Sequence, residues 1–270
     1  MVERFFRIEY KGQRRYAVEQ GSEWRLLEGD IFDGYTLGDR IASSGYRLLA
    51  PVDPSKIVCV GLNYKDHAAE VKKPLPEEPL LFIKPSTSVI GPGEDIVLPE
   101  NVGRVDHEAE LAVVIGRRAA RVREKDAAQY VFGLTCVNDV TARDLQVRGA
   151  GYTRAKGWDT FAPVGPCIAR GLDYSTTRGL TVEGSVNGTR RQYSSTRELI
   201  FAIPKLIAFI STNMTLLPGD IISTGTPAGI GPLIAGDTVT IKVEGVGELT
   251  NPVRSQQAPT AGRAITGKQP

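Results

Sequence analysis

The chain has 270 residues, 33 of them Lys or Arg and 31 Asp or Glu, and its formal charge of +2 excludes the strongly basic balance of a nucleic-acid binder. Apolar residues make up 41% and charged residues 24%, ordinary globular usage that provides a core and excludes disorder over most of the length. The longest nearly apolar stretch, Leu199 to Ile210, is broken by Pro204 and Lys205 and falls short of the roughly 20 residues of a membrane span, so no membrane partner is expected.

Along the chain, MVERFFRIEYKGQRRY alternates charge with aromatics and has no apolar leader core, which predicts a cytoplasmic protein. The runs FFRIEY, RRYAVEQ and WRLLEG, parted by turn candidates at Lys11-Gly12-Gln13 and Gly21-Ser22, predict a small antiparallel β domain over residues 1–54. Two prolines in Ala50-Pro51-Val52-Asp53-Pro54-Ser55 predict a linker into a larger domain, residues 55–254. That domain is mostly strands: KIVCVGL, PLLFIKP, DIVLP, EAELAVVIG, VFGLTCVN, PVGPCIA, LTVEGSVNG, GDIISTG and DTVTIKVEGVGELT. Helical periodicity is confined to the regions around Asn63 to Val71, Glu124 to Tyr130, Val140 to Val147 and Arg197 to Ser211, so the class is β-rich α+β. Residues 255–270 are polar and aperiodic, which predicts a frayed tail. Cys59, Cys136 and Cys167 are widely spaced inside apolar stretches and read as buried thiols.

Several familiar chemistries have no signature. There is no GxxxxGK[ST], GxSxG or HExxH, and the glycines of Gly225-Thr226-Pro227-Ala228-Gly229-Ile230-Gly231 follow a strand without leading into a helix. What remains is acidic. Glu108 and Glu110 stand two apart in a strand that must be buried, so they share one face, roughly 7 Å apart at Cα. Like charges so placed need protonation, a cationic neighbour or a metal ion. Asp139 ends the strand VFGLTCVN, where Arg143 and Gln146 of the helix expected next can address the same cavity. From spacing alone, a solvated acidic strand face with Asp139 as a helix N-cap fits as well. In GLNYKDHAAE a short helix puts His67 and Glu70 on one side, the pairing that fixes a general base, although a solvated helix face has the same pattern. His107, next to Glu108, faces the other way and reads as a packing residue.

The blocks GLNYKDHAAE, LLFIKPSTSVIGPGEDIVLP, DHEAELAVVIG, VNDVTARDLQ, AKGWDTFAPVGP, VNG and TGTPAGIGP, in this order, make residues 56–253 resemble the fumarylacetoacetate hydrolase family. The resemblance implies that family's mixed β-sandwich roll, a homodimer, and Mg²⁺ or Mn²⁺ held at the positions of Glu108, Glu110 and Asp139. It implies a catalytic dyad of His67 and Glu70 on a lid and a substrate-facing Lys156. It also implies substrate-binding roles for Lys84, Arg143, Gln146, Gly225 and Thr226. The expected substrate is a small anionic 2-oxo acid. The expected reaction is hydrolysis of an acylpyruvate or fumarylpyruvate, or oxaloacetate-type decarboxylation, through an enolate. An isomerase of 2-hydroxyhepta-2,4-diene-1,7-dioate in aromatic catabolism is the alternative, and a β-rich binding module with a structural cation the non-enzymatic one.

Overall fold

The computed structural model describes residues 2–21, 23–42, 44–147, 149 and 151–256. The N-terminal strands are β1 (Glu3–Tyr10), β2 (Gln13–Gln20), β3 (Glu23–Asp30), β4 (Gly34–Ile41) and β5 (Tyr46–Leu48). There follow β6 (Ile57–Gly61), α1 (Lys65–Glu70), β7 (Leu80–Lys84), β8 (Val89–Ile90), β9 (Ile96–Leu98), β10 (Val105–His107), β11 (Ala109–Ile115), β12 (Val131–Asn138) and β13 (Thr141–Ala142). The chain then forms α2 (Arg143–Val147), α3 (Gly151–Lys156), β14 (Ala162–Arg170), β15 (Thr181–Val186), β16 (Thr189–Ser195) and α4 (Ile203–Asn213). It closes with β17 (Ile221–Ser223), β18 (Gly231–Pro232), β19 (Thr238–Val243) and β20 (Gly247–Ser255).

Ten strands form one sheet in the order β4-β3-β2-β1-β14-β12-β11-β17-β6-β7, with β5 and β8 attached. A second sheet, β16-β15-β19-β20-β9, packs across it, with β15 and β19 against β11. The two faces come close: a Cβ on Gly184 of β15 would lie 3.1 Å from the Ala109 methyl. β11 is therefore covered on both sides, which its unbroken apolar run requires, and all seven of its residues are buried. This is the strand-rich sandwich expected.

Several local expectations change. The predicted linker is not a free tether: Val52 is buried, Tyr16 donates its hydroxyl to Pro51 O, and Arg7 pairs with Asp53. β1 pairs antiparallel with β14, so the N-terminal unit extends the main sheet across the expected boundary. The helix expected over Glu124 to Tyr130 is a 3₁₀ helix, and that over Val140 to Val147 begins as the short strand β13. The helix expected from Arg197 starts at Ile203, where Pro204 suits a first turn. β20 runs to Ser255, one residue into the expected tail, and residues 257–270 of that tail lie outside the described residues. All three cysteines are buried and free, and burial raises each thiol above its ordinary value. Among the described residues no helix is long and apolar enough to cross a membrane.

Candidate active site and metal centre

The site is built where β10 leaves one sheet and β11 enters another. β10 pairs with β13 and β18, β11 with β12 and β17, and Glu108 is the residue between them, outside both ladders. Its N–H is held by the Asn138 side-chain oxygen at 3.0 Å, while Asp139 N donates to Glu108 O at 2.9 Å. That exchange brings the end of β12 beside the start of β11. One carboxylate oxygen each of Glu108, Glu110 and Asp139 then lies within 4.8 Å of the others, all three residues buried.

Their compensation is uneven. Lys156 reaches Glu108 at 2.9 Å and also Asp139, which takes Lys84 as well at 2.5 Å. Arg143 pairs with Glu108 and bonds the Gln146 side chain, and its Nε donates to Asp106 at 2.9 Å. Among the described residues Glu110 has only neutral donors, Ser223 Oγ at 2.6 Å and the Gly225 N–H at 2.8 Å. Burial would raise Glu108, but the charges of Lys156 and Arg143 hold it well below the ordinary carboxylate range. Burial and the charges of Asp139 and Glu108 push Glu110 up to about 8. Three converging oxygens, one on a carboxylate without a cationic partner, fit a hard divalent ion, with Glu108, Glu110 and Asp139 as the residues that would hold it.

A cavity of about 570 Å³ opens over the three acids. Its wall includes His67, Lys73, Arg143, Gln146, Lys156 and Thr226, with an apolar lining from Val60, Phe82, Tyr152 and Ile230. Phe82 and Tyr152 stack with centroids 4.7 Å apart, and Lys156 Nζ lies 4.9 Å from the Phe82 ring centre. His67 Nδ1 meets Glu70 Oε2 at 2.8 Å. A carboxylate only accepts, so Nδ1 carries a proton, and in the neutral ring Nε2 keeps its lone pair. The dyad is fixed from outside: Glu70 Oε1 takes the Gly229 N–H at 2.9 Å, and Ser194 Oγ donates to Asp66 at 2.6 Å.

The other expected residues fall in two groups. Arg143, Gln146, Lys156 and Thr226 line the cavity, the Thr226 hydroxyl donating to Ala109 O. Lys84 and Gly225 lie behind the carboxylates: Lys84 is wholly buried on Asp139 and Val140 O, and Gly225 spends its N–H on Glu110. They hold Asp139 and Glu110 from behind and are not on the cavity wall. His107 packs as expected, buried with Nδ1 on Gln192 Oε1 at 3.0 Å, and Asp139 accepts from lysines and caps no helix.

Sequence reasoning passed over Asp106 and Gln192. Asp106 is wholly buried and ties Arg143 to Arg104; its signal was an acid at the head of a buried run. Gln192 accepts from Ala109 N and donates to Thr226 Oγ1 and Pro227 O, clamping the backbone between two of the acids to the cavity wall. A polar, doubly basic stretch, TRRQYSS, hid its strand.

The family model for the fumarylacetoacetate hydrolase C-terminal region matches residues 56–254, and one described as Rv2993c-like, N-terminal, matches residues 3–51. Oxaloacetate tautomerase YisK of Bacillus subtilis is 42% identical over 87% of this chain and 81% of its own. The crystal structure of 2-hydroxyhepta-2,4-diene-1,7-dioate isomerase from Mycobacterium marinum superposes with a TM-score of 0.87 at 40% identity, covering 94% of this chain and 99% of that one. Maleylpyruvate hydrolase from Sphingobium sp. SYK-6, solved with manganese(II) and pyruvate, gives 0.78 at 33% identity, with 94% of this chain and all of that one covered. The order of the motifs, the sandwich that carries them and the length of the matched segment agree: this chain belongs to the fumarylacetoacetate hydrolase family.

Proposed function

We propose that the chain is a divalent-metal-dependent enzyme that moves a proton at C3 of a small 2-oxo acid, interconverting keto and enol forms or shifting a double bond. The observation that carries this reading is that His67, held by Glu70, lines the same cavity as the three acids. When bound, the ion supplies a Lewis-acid centre that draws electrons from the 2-oxo group and acidifies the hydrogens on C3. His67 Nε2 takes one of these protons and returns it, while Glu70 holds the ring and stabilises its charged form. The Lys156 ammonium holds negative charge as it develops on the carbonyl oxygen. Gln146 accepts from Arg143 through its oxygen, which leaves its amide N–H groups for the substrate carboxylate.

Relatives named as a tautomerase and an isomerase, at 42% and 40% identity, favour proton transfer. The neighbour solved with manganese and pyruvate supports the ion and the oxo-acid end of the substrate. C–C cleavage, by oxaloacetate-type decarboxylation or by hydrolysis of an acylpyruvate, stands first on sequence grounds and becomes the second reading. In the hydrolysis the same Nε2 would deprotonate a water for attack on the distal carbonyl, and the hydrolase neighbour favours it.

The test is turnover of oxaloacetate enol, acetylpyruvate, fumarylpyruvate and a 2-hydroxydienedioate, with Mn²⁺ and with chelator. Enol–keto interconversion or double-bond migration that needs Mn²⁺ is expected, and His67→Ala should lower it by about 10²-fold or more with Mn²⁺ affinity unchanged. Full activity of His67→Ala, or of the protein in chelator, contradicts the reading; faster cleavage than interconversion selects the second one.

A further inference from the structure

Helix α1 ends in a turn in which Lys72 takes a left-handed conformation at φ +54°, with its N–H on Ala69 O and the Lys73 N–H on Ala68 O. Glycine normally fills such a position, so a lysine there is held against its preference. The turn puts Lys73 and Val71 on the cavity wall. Leu62, before the helix, is also left-handed at φ +53° and also lines the cavity. Both ends of this segment therefore hold unfavourable backbone while presenting side chains to the same space.

Lys73 differs from the other cations of the wall. Lys156 is committed to Glu108 and Asp139, and Arg143 to Asp106, Glu108 and Gln146. Lys73 is exposed and has no side-chain hydrogen bond or ion pair among the described residues. The cavity of about 570 Å³ also exceeds what a three-carbon oxo acid fills, and much of the rest of its lining is apolar. A second carboxylate placed there has one uncommitted cation to meet among the described wall residues.

Resting on the 2-oxo acid reading above, we infer that Lys73 receives the distal carboxylate of a 2-oxo dicarboxylate whose oxo-acid end sits at the three acids, which makes Lys73 a specificity-determining residue. The charge pair forms only with substrate present, so it ties the α1 segment to the ligand. It discriminates against substrates of equal length that end in a methyl group.

The experiment is calorimetric binding of 2-oxoadipate and 2-oxohexanoate to the Mn²⁺-loaded protein, two six-carbon acids that differ in the terminal carboxylate. The wild-type chain is expected to prefer the diacid about tenfold or more, the preference shrinking with added salt. Lys73→Met should reduce the preference to within about threefold, and Lys73→Arg should keep most of it. A wild-type chain without preference, or a Lys73→Met variant that keeps it, overturns the role of Lys73. Failure of the wild-type chain to bind either acid overturns the oxo-acid reading and this role with it.

Discussion

Glu110 is the side chain on which the metal-free centre is out of balance. Its neighbours Glu108 and Asp139 each have a lysine, whereas Glu110 has a hydroxyl and a backbone N–H, and its carboxyl is pushed up to about 8. A raised carboxyl keeps in the folded state a proton that the unfolded chain releases near about pH 4.3. From this group, the metal-free protein loses stability as pH climbs from there to about 8, and the loss then stops. A divalent ion held by Glu110 would have to expel that proton. Mn²⁺ affinity should therefore rise up to tenfold per pH unit below about 8 and level off above it, with close to one proton released at pH 6 and almost none at pH 9.5. Calorimetry in two buffers of different ionisation enthalpy reads that number, and a release independent of pH would contradict it. The acids were legible from their spacing together with the surrounding blocks, because two carboxylates on one face of a buried strand demand compensation. The placement of Lys84 and Gly225 behind the carboxylates was not. Whether a polar group faces a cavity or the back of a ligand depends on tertiary packing that no local pattern encodes.

Among the elements, the loop after β17 does the most positioning. Gly225 sits at φ +100°, and a Cβ there would come within 2.8 Å of Asn63 Cβ and 3.1 Å of Val60 O. Asn63 in turn ties the chain before α1 to Phe201 and Thr224. Gly225→Ala should therefore cost about 2–4 kcal/mol of stability. It should also weaken Mn²⁺ binding about tenfold by drawing the N–H away from Glu110. Gly93→Ala, at φ +77° with open space around it, isolates the backbone effect and should cost about 1 kcal/mol with metal affinity unchanged. Denaturant midpoints and Mn²⁺ titrations of the two variants check this, and equal behaviour would contradict it. The long strands were readable because β-branched runs buried on both faces have few alternatives. β13 was not, since its pairing is decided by β10, far back in the sequence, and β16 was not, because its polar, basic residues hid a strand that folds back on its neighbour β15.

Over the whole molecule, β1 pairs with β14, and Phe5 is buried against Phe132 and Tyr35. The N-terminal strands and the main sheet therefore share one apolar cluster, which includes Phe5, Val52 and Phe132. We expect one cooperative thermal transition for the full chain, and loss of a folded monomer when residues 1–50 are removed, because the edge of β14 would be exposed. Two separated calorimetric transitions, or a stable folded truncation, would contradict this. The sandwich brings β10, β11 and the end of β12 together around one point. The most direct test is a Mn²⁺ titration of the wild-type chain and of Glu110→Gln at pH 8.5, followed by electron paramagnetic resonance of the free ion. The account predicts one tightly bound ion per wild-type chain and at least about 10²-fold weaker binding in the variant. A wild-type chain that leaves Mn²⁺ free, or a variant that binds it equally well, would contradict the assignment of these three acids as the metal centre.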